Sequence, residues 1–249
     1  MLVATVTVVS TVAVAGCGSA VDISGGRAAS LTAATFVSQV RAATPLPSSV
    51  HLQGTLTGTG QQVVVTADVA ADGTAFEDVS AALSIQVGAT GAVEIRVVGG
   101  AFYLDTSSLG MGFPSTKPWL KIDPSDTGNP MGQGFGQVFE QFNLAQVAEA
   151  FSAATAVESL GSAEVDGVAT THYRVRVDTH KLLTILAVDP SLIPSDTPRL
   201  GTLDVWVDGK YRPVRVQSSS NAFAADLHFS RWGEPVTVTA PPAGQVASF

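Results

Sequence analysis

From residue 48 to the C-terminus, short runs of alternating apolar and polar residues recur, separated by turn residues. Such alternation indicates strands with one buried and one solvated face, because successive side chains of a strand point to opposite sides. Asp-Gly pairs at 72–73, 166–167 and 208–209 are typical of hairpin turns. The pattern predicts strands at residues 51–57, 62–70, 76–87, 92–98, 101–104, 119–122, 157–165, 168–178, 201–207, 213–218 and 223–230, and an edge strand within 233–242.

Three segments instead have apolar residues at helical spacing. Residues 30–41 begin at Ser30, a suitable N-cap, and two prolines follow them. Residues 143–156 carry apolar side chains on one helical face, and residues 179–188 form a short amphipathic segment. These segments predict three helices beside the strands.

Roughly ten strands at hairpin spacing and three helices predict an α+β fold built on one long antiparallel sheet. A sheet of that length curls rather than staying flat. Its concave face must then meet either the helices or another apolar group, because an apolar face cannot remain in water. The expected architecture is a curved sheet with helices over its concave face.

The first 16 residues carry no charge and are rich in Val, Ala and Thr, which is typical of the apolar region of an export signal. Small residues then precede Cys17, as in the lipobox of bacterial lipoproteins, where the thiol receives a diacylglycerol and becomes the first mature residue. We therefore expect a signal peptide at residues 1–16 and lipidation at Cys17. A flexible Gly/Ser/Ala-rich tether would follow up to residue 30, and a single domain would span residues 31–249.

An export signal usually begins with a positively charged region, yet no Lys or Arg precedes this apolar stretch. We therefore expect translation to start upstream of Met1. The alternative for Cys17 is a buried, inert cysteine in an N-terminal strand, since runs of Val and Thr also suit strands. If Cys17 is acylated, the protein is held on the outer face of the cell membrane, because each buried CH₂ contributes about 0.8 kcal/mol.

Charge and composition narrow the classes of function. The 249 residues include 13 Lys and Arg against 21 Asp and Glu, a formal net charge of -8, with no basic stripe to neutralise phosphates. We therefore expect no nucleic-acid partner. Hydrophobic residues make up 45% of the chain, which is enough for a folded core. A single cysteine excludes a disulfide framework.

No motif of catalysis or cofactor binding stands out in the chain. The GxSxG, HExxH, P-loop and GxGxxG patterns are missing from the sequence, so we expect neither an enzyme nor a cofactor. His51, His172, His180 and His228 lie on separate predicted elements. We interpret them as exposed strand and helix-cap histidines. The alternative is a metal pair of His172 and His180 with Asp178 between them, and we expect no metal site.

The remaining candidates for function are apolar. Eight side chains are expected to project from helices toward the sheet: Phe36, Val40, Phe139, Phe142, Val147, Phe151, Leu182 and Leu186. In one interpretation they are ordinary core residues. In the other, some of them line an apolar cavity, which requires dry concave surface and no catalytic group. The 24 glycines and many alanines favour such a cavity because small side chains leave room that bulky ones would fill.

A further signal is the order of several short segments along the chain. They are the lipobox at Cys17, the helix at 30–41, residues 101–104 leading to Trp119-Leu120, residues 167–168 and 172–175, the short helix after Asp178, residues 203–207 with 213–215, and residues 229–235. In this order they resemble the LppX/LprG-type lipoproteins of actinobacteria, within the LolA/LolB-like superfamily. The resemblance implies a half-barrel of antiparallel sheet that cups helices around an apolar cavity. It also implies that the protein holds an acyl lipid or glycolipid in this cavity and carries it across the cell envelope.

Three functions are compatible with these features. The first is a membrane-anchored lipoprotein that binds or carries acylated lipids, with an envelope transport protein as a possible partner. The alternative is a scaffold or regulatory lipoprotein whose sheet is filled by its own side chains and whose exposed apolar patch binds another envelope protein. The third is a hydrolase of envelope material, which would need a nucleophile with a base within reach, and the sequence offers none.

Overall fold

The structure is a computed structural model that describes residues 31–44, 48–58, 61–73, 75–89, 91–107, 116–124, 149–185, 195, 197–219 and 223–247. The chain divides into two units, residues 1–30 and residues 31–249, and every described residue belongs to the second unit. The predicted signal peptide, Cys17 and the tether therefore lie outside the described residues.

Helix α1 spans Ala33–Ala43, so the predicted start at Ser30 is wrong. The N-cap is Thr32, whose hydroxyl accepts a hydrogen bond from the backbone N–H of Thr35 at 3.1 Å. That bond satisfies one of the free N–H groups in the first helical turn. Phe36 and Val40 are buried one turn apart, as the apolar spacing predicts.

Helix α2 spans Thr179–Ile185, where the sequence predicts the short amphipathic helix. The predicted helix at 143–156 ends earlier than expected. Residues 149–150 are helical, Phe151–Ala153 form a 3-10 turn, and a strand begins at Ala154. Ala154 pairs with Val177 of the neighbouring strand, so sheet hydrogen bonding takes over where the local spacing favours helix.

Twelve strands make one sheet. They are β1 (Ser48–Gly58), β2 (Gln61–Ala71), β3 (Val79–Val87), β4 (Val93–Val98), β5 (Ala101–Asp105), β6 (Trp119–Ile122), β7 (Ala154–Val165), β8 (Val168–Asp178), β9 (Leu200–Val207), β10 (Pro213–Ser219), β11 (Phe223–Ser230) and β12 (Val246–Ala247). Their order is β12-β6-β5-β4-β3-β2-β1-β11-β10-β9-β8-β7. The predicted α+β class with one long sheet is confirmed, and the sheet is open.

One pairing departs from the predicted antiparallel sheet. The short strand β12 pairs with β6 in parallel, which makes the sheet mixed. The predicted edge strand within 233–242 is also wrong, because residues 234–242 have no strand structure. Pro235, Pro241 and Pro242 have no backbone N–H to donate to a neighbouring strand. This stretch is instead bonded through Arg96, whose Nη1 donates to the carbonyl of Thr239 at 3.2 Å.

The centre of the sheet joins sequence-distant halves of the chain. Strand β1 pairs with β2 on one side and with β11 on the other. Because residues directly opposite each other share a face of the sheet, the registers define two continuous faces. We call the face that packs against α1 the inner face and the opposite one the outer face.

Candidate functional site

Part of the inner face is covered by α1, and we call its core the helix-covered cluster. It consists of Phe36, Val40, Phe151, Ala153, Tyr173, Val175, Val177, Val205 and Val207. The Phe36 ring meets the Tyr173 ring at a centroid distance of 5.1 Å and the Phe151 ring at 6.0 Å. These aromatic contacts fix α1 over strands β7 to β9.

The structure brings together four of the eight predicted apolar residues. Phe36, Val40 and Phe151 belong to the helix-covered cluster, and the half-buried Leu182 packs against it. Phe36 and Val40 have no exposed surface, so both side chains pack wholly against protein. Their assignment to a cavity wall stays a prediction. Phe139, Phe142, Val147 and Leu186 lie outside the described residues.

A tyrosine pair lies at the border of the helix-covered cluster. Tyr173 is 6% exposed, and its ring stacks on Tyr211 at a centroid distance of 6.5 Å. Burial, followed by the hydrogen bond with Tyr211, raises the pKa of Tyr173 to about 12. The phenol therefore stays neutral at physiological pH and acts as a hydrogen-bonding group within an apolar surface.

The rest of the inner face carries a second set of aliphatic residues. We call its core the sheet cluster: Val50, Ala67, Val69, Ala81, Ile95, Val97, Phe102, Leu104, Leu120, Ile122 and Phe229. Its members lie on β1 to β6 and β11. Among the described helices, α1 contacts β7 and the 3-10 turn before it, so it lies at the other end of the sheet.

Accessible apolar surface lies beside the sheet cluster, toward the start of β2 and the end of β3. Leu227, Gly54, Val65, Ile85 and Val93 are in register across five strands, and Gly54 leaves a gap in this row. The next row toward the strand ends contains Leu56, Val63 and Val87. Leu56, Val63, Val65, Ile85, Val93 and Leu227 are half-buried, and Val87 is exposed, at 39%. We call Leu56, Val63, Val65, Ile85, Val87, Val93 and Leu227 the open inner face.

The outer face is different in character. Across β8, β9 and β10, the His172 ring stacks on Trp206 at 4.2 Å, and the Arg215 guanidinium lies over the same indole at 4.9 Å. The registers pair His172 with Trp206 and Trp206 with Arg215, so the indole stands between these two side chains and is only 9% exposed. Stacking and cation–π attraction thus stabilise this polar face.

Each described strand histidine bonds to an aspartate on the outer face. His51 bonds to Asp68 at 2.9 Å and His172 to Asp204 at 2.9 Å. His228 bonds to Asp166 at 2.6 Å. All three strand histidines are half-buried, so their predicted exposure is wrong, whereas His180 on α2 is exposed. The described residues contain no group of three or more His, Cys, Asp or Glu side chains arranged to hold a metal ion.

Sequence reasoning did not identify the open inner face, because it looked for cavity residues on helices alone. The signal that could have found it is the alternation in β2 and β3. Val63 and Val65 point inward and Val64 points outward, as Ile85 and Val87 do with Gln86 between them. Reading which alternate residues face α1 would have placed these aliphatic side chains on the inner face.

Comparison with known proteins gives the family. Residues 32–238 match the model of the LppX_LprAFG lipoprotein family. The crystal structure of lipoprotein LppX from Mycobacterium tuberculosis shares 18% sequence identity with this chain, with a TM-score of 0.56, covering 83% of this chain and 98% of that one. The crystal structure of LprF from Mycobacterium bovis shares 17% identity, with a TM-score of 0.54, covering 84% and 96%.

These two structural matches show a shared fold and nothing beyond it. A comparison with curated protein sequences gives no match. Within the part of the chain that the structure describes, no helix is long and apolar enough to cross a membrane. The family match covers most of the chain, including all described strands except β12. The chain belongs to the LppX_LprAFG lipoprotein family.

Proposed function

We propose that this protein is a non-catalytic envelope lipoprotein that binds or carries acylated lipids on the open inner face. The observation that carries the proposal is the pair of rows of half-buried aliphatic side chains, ending at the exposed Val87. Acyl chains bound there would be stabilised by about 25 cal/mol per Å² of apolar surface removed from water. Family membership supports the proposal because it is a family of lipoproteins.

The sequence supplies the second part of the proposal, which is the membrane anchor. Lipidation at Cys17 would hold the domain on the outer face of the cell membrane, where lipid is available to the open inner face. Two or more acyl chains on one cysteine are needed for stable anchoring, because a single chain binds only marginally. Incorporation of an alkyne-labelled palmitate, lost in Cys17→Ser, tests the anchor separately from lipid binding.

The test of lipid binding uses two neighbouring valines on opposite faces of β2. The full chain carrying Cys17→Ser is purified from an actinobacterial host, and bound lipid is identified by native mass spectrometry and extraction. Val65→Trp would fill the open inner face, whereas Val64→Trp places the same side chain on the outer face, where Val64 is 39% exposed. We expect copurified acyl lipid to be lost in Val65→Trp and kept in Val64→Trp.

Two results would overturn lipid binding by the open inner face. One is a chain that emerges empty and takes up no diacyl lipid when vesicles are offered. The other is equal lipid content in Val64→Trp and Val65→Trp, with circular dichroism showing that both variants are folded. The first result would favour the alternative of a scaffold or regulatory lipoprotein that binds another envelope protein.

A further inference from the structure

A separate cleft lies beside α1. It has a volume of about 550 Å³ and is lined by Ala33, Ala34, Val37, Ser38, Arg41, Ser152 and Ala154. Ala34 and Ser38 each stand two residues from Phe36, nearly on the opposite side of the helix. The cleft shares no residue with the open inner face, and it borders the helix-covered cluster, against which Val37 and Ala154 pack.

The length and the volume of the cleft are compatible with an acyl chain. Its α1 wall runs from Ala33 to Arg41, which is roughly 12 Å of helix at 1.5 Å per residue. Alanine and serine form most of this wall, so a ligand can approach the helix backbone closely. The volume is within the range of about 300–1,000 Å³ that is usual for small-molecule sites.

The charges around the cleft favour an anionic group at one end. Arg41 lines the cleft and pairs with Glu149, and both side chains are nearly half exposed. Lys181 donates from Nζ to the Ser152 carbonyl at 2.7 Å. The carboxylate beside Lys181, Asp178, is paired with Arg199 at 3.6 Å. Among these described residues, three cations and two carboxylates leave an excess of one positive charge, in a chain whose net charge is -8.

Two features leave this end open to a ligand. The Arg41–Glu149 pair is solvent-exposed, and exposed ion pairs contribute little to stability, so an anion can displace the carboxylate at small cost. The Ser152 hydroxyl oxygen is buried and has no hydrogen-bond partner among the described residues. Buried polar groups normally have one, and the oxygen of an anionic head group would accept the missing bond.

We propose that this cleft binds a single acyl chain that ends in an anionic group, with Arg41 pairing with that group. A fatty-acid carboxylate and a lysophospholipid phosphate share this chemistry. The small α1 residues would contact the hydrocarbon, and Ser152 would donate to the anionic oxygen. The inference goes beyond the proposed function, because it concerns a second surface and a single-chain ligand.

The test isolates the cleft from the open inner face. In the full chain carrying Cys17→Ser and Val65→Trp, after delipidation, binding of palmitate, palmitoyl-lysophosphatidylglycerol and neutral monopalmitoylglycerol is measured by native mass spectrometry and calorimetry. Ala34→Trp fills the cleft and Arg41→Gln removes its cation. The matched controls are Ala42→Trp, exposed on α1 outside the cleft, and Arg176→Gln, exposed on β8.

We expect one anionic ligand to bind, with at least tenfold weaker affinity in Arg41→Gln, loss in Ala34→Trp, and no change in either control. Binding of palmitate alone would identify a free fatty acid, and binding of the lysolipid would identify a phospholipid source. Any of three results would overturn the inference. They are an affinity that does not change in Ala34→Trp and Arg41→Gln, the absence of binding, and an equal affinity for monopalmitoylglycerol. Loss of lipid from the open inner face is measured separately, by comparing Val64→Trp with Val65→Trp. Failure of one proposal can therefore be distinguished from failure of the other.

Discussion

Asp226 shows how a single residue holds charge on the outer face. Its carboxylate accepts hydrogen bonds from Arg215 Nε at 2.7 Å and Nη2 at 2.5 Å. These bonds hold the pKa of Asp226 below its ordinary value of 3.8, although burial acts in the opposite direction. A lowered carboxyl pKa stabilises the fold above the ordinary value, and this stabilisation is lost as pH falls through the native pKa.

We therefore expect Asp226→Asn to lower the free energy of unfolding by about 1.5–3 kcal/mol at pH 7, as for hydrogen bonds to charged groups. The difference from the parent chain should shrink as the pH falls below 3.8, because the carboxyl of the unfolded parent chain is protonated there before that of the folded chain. Urea denaturation at pH 7 and at pH 3 measures both. Glu164→Gln, at an exposed position of β7, is the control. A penalty that is the same at both pH values would contradict the assignment.

Tyr173 gives a residue-scale prediction at the other end of the pH scale. Burial and Tyr211 raise its pKa from 10.0 to about 12, so the folded state resists ionisation of this phenol. Its stabilising contribution is complete below pH 10 and is lost as the pH rises to 12. We expect Tyr173→Phe to flatten the fall in unfolding free energy over this interval, measured by urea denaturation with tyrosinate absorbance. Tyr103→Phe should leave the slope unchanged, and equal slopes in all three proteins would refute the prediction.

At the scale of elements, Gly54 fixes how closely β1 and β11 approach. A Cβ built on Gly54 would collide with the backbone oxygen of Asp226 and lie 2.9 Å from the Cα of Leu227. Gly54→Ala should therefore cost about 1–3 kcal/mol of unfolding free energy through overpacking, measured by chemical denaturation. Gly209→Ala is the matched control, because a Cβ there would meet nothing within 4 Å. Similar stabilities for the two variants would show that β1 and β11 separate without cost.

The strands were predictable from sequence because each needs only local alternation and a turn. The boundaries of the elements were less predictable. β7 begins at Ala154, within a segment of helical spacing, because pairing with Val177 decides the conformation there. The parallel β12–β6 contact joins Val246 to Trp119 across more than a hundred residues, and no local pattern encodes it. Such non-local pairing depends on the whole fold rather than on propensity.

The candidate site was predictable only in part, for a similar reason. Helical spacing was sufficient to put Phe36 and Val40 on one buried side of α1. It could not show that α1 would cover β7 to β9 and leave Val65 and Ile85 half-buried. Side-chain volumes do not determine where a helix sits on a sheet, so which apolar residues remain accessible is a property of packing.

At the scale of the whole molecule, the two apolar clusters of the inner face are linked. Val216 on β10 packs against both the helix-covered cluster and the sheet cluster. β11 pairs with β10 on one side and with β1 on the other, so hydrogen bonding is continuous between the clusters. Loss of one cluster would expose apolar surface and strand edges of the other, which favours a single cooperative unfolding transition.

Phe36→Ala tests this coupling from one end of the sheet. Phe36 has no exposed surface, so its loss should cost about 3–5 kcal/mol. The effect is measured in two variants that each keep a single tryptophan. Trp206 lies on β9 near the substituted cluster, and Trp119 lies on β6 at the far side of the sheet. If the clusters unfold together, the fluorescence midpoints in urea should fall by the same amount for both reporters. If the Trp119 midpoint does not move, the open inner face stays folded when the helix-covered cluster unfolds. A bound lipid would then stabilise only part of the domain.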